Sequence, residues 1–249
     1  MTSNQLSQCC IKGTLHEGQA RGQIKSIGNT STYFAYPADN STKHAILLLT
    51  DVLGHQFINS QLLADQFASN GYFVVMPDLF NGDVVPMNRP EGFNIMDWVK
   101  NHMPSQTEPI INSVLKEMRE NLGCERIGGV GYCFGGKYVC RYLKLGKLDV
   151  GFMAHPTMVE PDELRGIEGP LSIAAAEWLL VRDFVFTTAK RHETEQILDQ
   201  LEVLHQLNLF SDVEHGFAVR CNLDEPLQRF AKEQAFSQAV SWFNMFLKI

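Results

Sequence analysis

The sequence lacks the features that mark membrane proteins, exported proteins and nucleic-acid-binding proteins. Its 249 residues contain no run that approaches about 18 consecutive apolar residues, the length that a membrane-spanning helix needs. The first residues have neither the basic region nor the apolar region of a secretory signal. There is no run of Lys and Arg, and the net charge is −7 at pH 7. We therefore predict a cytoplasmic protein that binds neither nucleic acid nor membranes.

Cysteine is scarce as well. The chain has six cysteines, at positions 9, 10, 124, 133, 140 and 221. Without an export signal, so few thiols do not indicate a disulfide framework, and reduced cysteines are expected. No C-x-x-C pair and no His/Cys spacing fits a structural zinc site, so the sequence predicts no metal.

Apolar segments, by contrast, are plentiful and regularly spaced. Residues 45–50 form a continuous apolar run, which is typical of a strand buried on both faces of a parallel sheet. Residues 72–77, 150–154 and 171–176, which are also mostly apolar, are predicted to be further strands. Segments with helical spacing separate them. Strands that alternate with helices predict an α/β fold with a mostly parallel central sheet and helices on both faces. We expect one domain over residues 1–249, of which residues 1–20 form a loosely attached arm.

Further elements are predicted at both ends of the chain. Residues 23–28 and 31–36 read as an antiparallel edge hairpin. Residues 189–207 read as a charged amphipathic helix, with Leu204 among its inward-facing residues, and residues 207–213 as the last strand. The helix after Pro226 is expected to bury Phe230 and the apolar residues that follow it at helical spacing.

The segment of residues 127–138 carries the clearest chemical signal. A short apolar strand leads into Gly131-x-Cys133-x-Gly135 and then into a helical pattern. This is the strand, elbow and helix layout that presents a nucleophile at a sharp, strained turn. Glycines on either side of the turn let the backbone bend tightly and let neighbouring chains approach. The pattern predicts that Cys133 is a nucleophile; the competing interpretation is a buried, inert thiol.

A thiol nucleophile needs a base, and the base needs a third group that fixes its tautomer. In α/β-hydrolases these residues follow the order nucleophile, acid, histidine. His215 lies just after the last predicted strand and is our predicted base. Asp183 is the favoured acid, with Glu177 as the alternative. His155 ends another strand and is interpreted either as a pocket residue or as a structural one.

The elbow layout also predicts how a developing oxyanion would be stabilised. One donor is the backbone N–H of the residue after the nucleophile, Phe134. A second comes from the loop after an earlier strand, where Val52 is the natural donor.

Several sequence blocks together resemble the dienelactone hydrolase family of the α/β-hydrolase superfamily, and most of all its fungal branch. The blocks are Cys9-Cys10 with Gly13 and His16, LLADQFA at residues 62–68, MPDLFNGD at 76–83, GYCFGG at 131–136 and EHGFA at 214–218. The resemblance implies an α/β-hydrolase fold and a triad of Cys133, Asp183 and His215. It also implies cleavage of a small lactone or ester through a thioester, without a cofactor, and it assigns Asp51 and Arg220 to substrate binding.

Two other interpretations remain. In the family, the glutamate at the end of the strand and the catalytic aspartate are almost adjacent, whereas here residues 178–182 intervene. The chain could therefore be a catalytically impaired binding protein on the same fold. The glycines of Gly129-x-Gly131-x-x-x-Gly135 could also belong to a dinucleotide-binding loop, although no downstream acidic signal accompanies them. Either a monomer or a homodimer is compatible with the sequence.

Overall fold

A mostly parallel, eight-stranded sheet forms the centre of the structure, a computed structural model that describes residues 2–4, 13–87, 92–177 and 185–248. The strands are β1 (Gln23–Ile27), β2 (Thr30–Ala35), β3 (His44–Leu49), β4 (Phe73–Pro77), β5 (Arg126–Tyr132), β6 (Val150–Ala154), β7 (Leu171–Glu177) and β8 (His205–Ser211). Their order across the sheet is β1-β2-β4-β3-β5-β6-β7-β8. Strand β2 pairs antiparallel with β1 and β4, and every other neighbouring pair is parallel.

Helices cover both faces of this sheet. They are α1 (Ile58–Ser69), α2 (Ile95–Lys100), α3 (Pro104–Glu120), α4 (Phe134–Tyr142), α5 (Pro161–Arg165), α6 (Thr188–Leu198), α7 (Phe217–Arg220) and α8 (Pro226–Phe246). Helices α1, α7 and α8 contribute side chains to one apolar cluster, and α2 to α6 contribute to the other. Along β3, alternate side chains enter opposite clusters, since Leu47 belongs to one and Leu48 to the other. The predicted fold class is confirmed.

The predicted edge hairpin and the buried strands are all present. Strands β1 and β2 pair antiparallel and are joined at residues 28 and 29. The four segments predicted as strands, residues 45–50, 72–77, 150–154 and 171–176, correspond to β3, β4, β6 and β7. Their residues are buried because helices cover the sheet on both sides.

The prediction for residues 189–207 was wrong in its second half. Helix α6 ends at Leu198, and β8 begins at His205. Leu204 is 63% exposed, so it does not face the core. The helix that follows Pro226 is present, but Phe230 is 55% exposed instead of buried. Leu204 lies after α6 has ended, whereas Phe230 lies within α8 on a part of the helix that other elements do not cover.

The expectation of a loose arm at residues 1–20 does not hold for the described part of that segment. The Thr2 hydroxyl donates a hydrogen bond to the Val159 carbonyl, at 3.0 Å. His16 is buried, and its backbone N–H donates to the side chain of Asn59 at 2.8 Å. The amide of Asn59 in turn donates to the carbonyls of Thr14 and Val219. These bonds join residues far apart in sequence, which is why no local pattern reveals them.

Because β3, β5, β6, β7 and β8 are parallel, their carboxyl ends lie along one edge of the sheet. In open α/β sheets this edge is where ligands bind. Asp51, Cys133 and His155 follow β3, β5 and β6, and His215 follows β8.

Candidate active site

The turn at Cys133 is a strained elbow between β5 and α4. Cys133 has φ +50° and ψ −108°, a conformation that non-glycine residues rarely adopt. The flanking glycines are required by close approaches of the backbone. A Cβ on Gly135 would lie 2.0 Å from the Leu49 carbonyl oxygen, and one on Gly131 would lie 2.6 Å from the Gly135 carbonyl oxygen. The predicted elbow is therefore present, with its glycines where the chain is most crowded.

Hydrogen bonds from the neighbouring strand end hold this elbow in place. The N–H of Cys133 donates to the Ala154 carbonyl at 3.1 Å, and the Cys133 carbonyl accepts from the N–H of Thr157 at 3.1 Å. His155, between them, also has a positive φ of 40°. Strained backbone of this kind persists only when the surrounding structure fixes it, and it is concentrated at functional sites.

Cys133 and His215 are brought together across the edge of the sheet. The Nε2 atom of His215 lies 3.2 Å from the Sγ atom of Cys133, within hydrogen-bond distance for sulfur. The two residues are 0% and 5% exposed. Such burial strengthens the interaction, because little water screens it. The contact joins residues 82 positions apart in the sequence, in the arrangement by which a base activates a thiol.

The third member of the predicted triad, Asp183, lies outside the described residues, as does the intervening segment 178–182. Its role stays a prediction. The alternative acid, Glu177, ends β7 and is engaged elsewhere: its Oε1 atom accepts from the Thr188 hydroxyl at 3.0 Å and lies 3.9 Å from the guanidinium of Arg191. These contacts hold Glu177 at the start of α6.

His155 packs directly against the predicted base. The rings of His155 and His215 meet edge to face, with centroids 4.9 Å apart. His155 is fully buried, and burial lowers its pKa well below the ordinary value of 6.5, with a further lowering by His215 and Arg220. A neutral His155 places no charge beside His215, so it does not oppose proton uptake by the base.

Both predicted oxyanion donors lie at the elbow and the facing loop. Phe134 is the first residue of α4, where N–H groups have no acceptor within the helix. The loop that carries Val52 is tied down on both sides: the Thr50 carbonyl accepts from Gly135 N–H at 3.1 Å, and the Val52 carbonyl accepts from Val85 N–H at 2.9 Å. Within the described ranges, no acceptor is bonded to the N–H of Val52 or Phe134.

The resemblance assigned Asp51 and Arg220 to substrate binding, and the structure pairs them with each other. The Nη1 atom of Arg220 lies 2.5 Å from Oδ2 of Asp51, and both side chains are almost fully buried. The other carboxylate oxygen of Asp51 accepts from the N–H of Leu53 at 3.0 Å. The ion pair therefore anchors the loop after β3 to α7, the helix that follows His215.

An aromatic group beside the elbow was missed in the sequence analysis. Phe80, Trp98 and His102 pack together, and Phe80 and Trp98 also contact the ring of Phe134. These residues come from a loop, from α2 and from the segment after α2, so no periodic pattern links them. The aromatic content of residues 80–102 was the only sequence signal that could have indicated the cluster.

Comparison with known proteins shows which family the chain belongs to. The model of the dienelactone hydrolase family matches residues 30–247. The chain belongs to the dienelactone hydrolase family. It is 60% identical to the hydrolase pyvD of Aspergillus violaceofuscus and 46% identical to the hydrolase tropI of Talaromyces stipitatus, each match covering all of this chain and at least 99% of the relative. A crystal structure of a putative dienelactone hydrolase from Klebsiella pneumoniae shares the fold, with a TM-score of 0.73 and 13% identity over 92% of this chain and 100% of that one.

The family membership predicted from the sequence blocks is thus confirmed, and the protein is a hydrolase. No helix in the described part of the chain is long and apolar enough to cross a membrane. Over the same residues, no group of three or more His, Cys, Asp and Glu side chains is arranged to hold a metal ion.

Proposed function

We propose that this hydrolase cleaves a small lactone or carboxylic ester by nucleophilic catalysis, with Cys133 as the nucleophile and a thioester as the intermediate. The observation that carries the proposal is the contact of 3.2 Å between Cys133 Sγ and His215 Nε2 at a strained elbow. A buried thiol with an imidazole at this distance can be deprotonated, and the thiolate is the reactive form of cysteine.

In the first half of the reaction, Sγ of Cys133 attacks the carbonyl carbon while Nε2 of His215 takes the thiol proton. The carbonyl oxygen gains negative charge and accepts hydrogen bonds from the N–H groups of Phe134 and Val52. Collapse of the tetrahedral intermediate breaks the bond to the alkoxy oxygen, which receives the proton from His215. For a lactone, the ring opens and its hydroxyl group remains on the acyl chain.

In the second half, His215 removes a proton from water, and the resulting nucleophile attacks the thioester carbonyl. The same two N–H groups stabilise the second oxyanion. The C–S bond breaks, the sulfur takes up the proton, and the carboxylic acid leaves. Asp183 is proposed to hold His215 in the tautomer that keeps Nε2 free for these transfers.

The substrate class follows from the family and from this chemistry. The family is named for the hydrolysis of dienelactones, and its reaction needs only a carbonyl with a displaceable oxygen. We accordingly propose a small-molecule lactone or ester as the substrate, with no cofactor. We also keep the expectations of a cytoplasmic monomer or homodimer that binds neither nucleic acid nor membranes.

Hydrolysis of p-nitrophenyl acetate tests the proposal, together with intact-mass analysis of enzyme quenched during turnover. The wild type should accumulate an acetyl adduct on Cys133, and Cys133→Ala should lose the adduct and at least about 10³-fold in kcat. Cys140→Ala is the matched control. Cys140 is also a buried thiol, in α4, but it lies 3.7 Å from Met153 Sδ, and burial raises its pKa, so it should have no role.

The identity of the acid is tested by comparing Asp183→Asn with Glu177→Gln. The first should lower kcat by about 10³-fold or more, whereas the second should leave kcat within a few-fold of the wild type.

Full activity of a folded Cys133→Ala protein would refute the mechanism. A folded wild type that neither turns over the ester nor becomes acylated would instead support the catalytically impaired binding protein.

A further inference from the structure

The aromatic group beside the elbow touches both halves of the proposed oxyanion hole. We define the aromatic clamp as Phe80, Trp98 and His102. We propose that this clamp sets the position of the N–H groups of Phe134 and Val52, and that Trp98 is the positioning residue at its centre. The inference rests on the proposed function, since it concerns how that reaction's oxyanion is stabilised.

One side of the clamp packs on the nucleophile elbow. The ring centroid of Phe80 lies 5.1 Å from that of Phe134, and the ring of Trp98 lies 6.1 Å from it, both near edge-to-face geometry. On its other side, the Phe134 ring contacts Tyr138, one turn later in α4, at 5.2 Å. Phe134 is fully buried among these rings. Because its side chain is enclosed in this way, its backbone N–H cannot shift without disturbing the clamp.

The other side of the clamp reaches the loop that carries Val52. The indole N–H of Trp98 donates to the Asp83 carbonyl at 2.7 Å. Two residues later, the N–H of Val85 donates to the Val52 carbonyl at 2.9 Å. Between them, Val84 lies against Gly54, since a Cβ built on Gly54 would come within 2.4 Å of Val84 Cγ1. A short chain of contacts thus runs from Trp98 to the second donor.

His102 fixes the orientation of Trp98. Its ring stacks on the indole with centroids 4.0 Å apart, and its Nδ1 atom is 2.8 Å from the Trp98 carbonyl. Since a carbonyl only accepts, Nδ1 carries the hydrogen. The Nε2 atom of His102 lies 3.5 Å from a carboxylate oxygen of Asp83. His102 is therefore in contact with the indole ring of Trp98 and with the side chain of Asp83, the two residues that this hydrogen bond joins.

The test compares Trp98→Phe, which keeps an aromatic ring but removes the indole N–H, with Phe80→Leu, which loosens the contact to Phe134. Each should lower kcat for p-nitrophenyl acetate by about 5- to 50-fold with little change in KM, a part of the 10²–10³-fold effect of losing an oxyanion donor. Affinity for methyl trifluoromethyl ketone (1,1,1-trifluoroacetone), whose carbonyl carbon forms a tetrahedral adduct with the thiol, should fall by a similar factor. The rate of Cys133 alkylation by iodoacetamide should not change, since that reaction develops no oxyanion.

Trp242→Phe is the matched control. Trp242 lies on α8 and packs against Phe246, and its indole N–H has no hydrogen-bond partner among the described residues. It should keep wild-type kcat. An unchanged kcat in both clamp variants would overturn the inference, as would a rise in KM alone, which would make the clamp a substrate-contacting wall. Slower alkylation would also overturn it, by showing damage to the thiol. If wild-type Cys133 were neither acylated nor alkylated, the proposed function would fail and this inference with it.

Discussion

The buried ion pair of Asp51 and Arg220 gives a quantitative test of how the loop after β3 is held. The two charges are 2.5 Å apart, and their side chains are 0% and 1% exposed. At an effective dielectric constant of about 20, unit charges at this distance attract with roughly 7 kcal/mol, most of which offsets the loss of hydration. Removing one partner is costlier than the net value of the pair, because the other charge stays buried.

We therefore predict that Asp51→Asn lowers the free energy of unfolding by about 3 kcal/mol and Arg220→Met by about 3–5 kcal/mol. The asparagine keeps an oxygen for the N–H of Leu53, so its effect reports mainly on the lost charge. The double variant removes both charges of this pair together. It should be more stable than the sum of the single effects predicts, with a coupling energy of about 2–3 kcal/mol.

The free energy of unfolding of the wild type, the two single variants and the double variant is measured by urea unfolding followed by circular dichroism. The slope of this free energy against urea concentration should be the same for all four proteins. The exposed pair of Lys43 and Glu125 is the matched control, since its atoms are 2.8 Å apart but its side chains are 63% and 61% exposed. The corresponding single and double variants of Lys43 and Glu125 should give a coupling energy below about 1 kcal/mol. Additive effects at Asp51 and Arg220, or single effects as small as those of the control, would refute the argument from burial.

Three further predictions concern the elbow and its surroundings. Gly135→Ala should abolish activity and lower the melting temperature, because the new Cβ would lie 2.0 Å from the carbonyl oxygen of Leu49; unchanged activity would contradict the close approach. Burial holds the pKa of His155 below its value in the unfolded chain, so the unfolded state takes up the proton first as the pH drops. The free energy of unfolding should therefore fall as the pH drops through 6.5, and His155→Phe should reduce that fall, measured as urea midpoints between pH 7 and 5. Glu163→Gln should lower the free energy of unfolding by about 3 kcal/mol, because the buried Lys137 ammonium, 2.6 Å away, then loses its carboxylate partner. A loss below about 1 kcal/mol in urea titrations would show that the pair is not needed for stability.

The sequence was sufficient for the parts of the fold that depend on local pattern. The four mostly apolar segments became strands β3, β4, β6 and β7, because a strand covered on both faces is built mainly from apolar residues. Local pattern failed at Leu204, where the helical spacing of apolar residues continues after α6 has ended. Whether a residue is covered there depends on the neighbouring elements, and periodicity does not contain that information.

In the candidate site, too, some contacts could be predicted from the sequence and others could not. The pairing of Cys133 with His215 could be predicted, because the elbow has a sequence signature and the base has a fixed place in the chain order. The pairing of Asp51 with Arg220 and the packing of Trp98 on Phe134 could not. Both join residues from separate loops, and their partners are determined only after the sheet has brought those loops together.

The strained backbone at Cys133 and His155 shows how hydrogen bonds to neighbouring strands hold the turn that carries the Cys133 thiol. Each positive φ is unfavourable by about 1–3 kcal/mol, yet the two residues end adjacent strands. Bonds from Cys133 N–H to the Ala154 carbonyl, and from His155 N–H to the Ala174 carbonyl, link the end of β5 to β6 and the end of β6 to β7. Neither turn can relax without breaking a bond to the next strand. The position of Cys133 Sγ is therefore set by the register of three parallel strands, so substitutions that shift this register should reduce activity even when they lie far from the thiol.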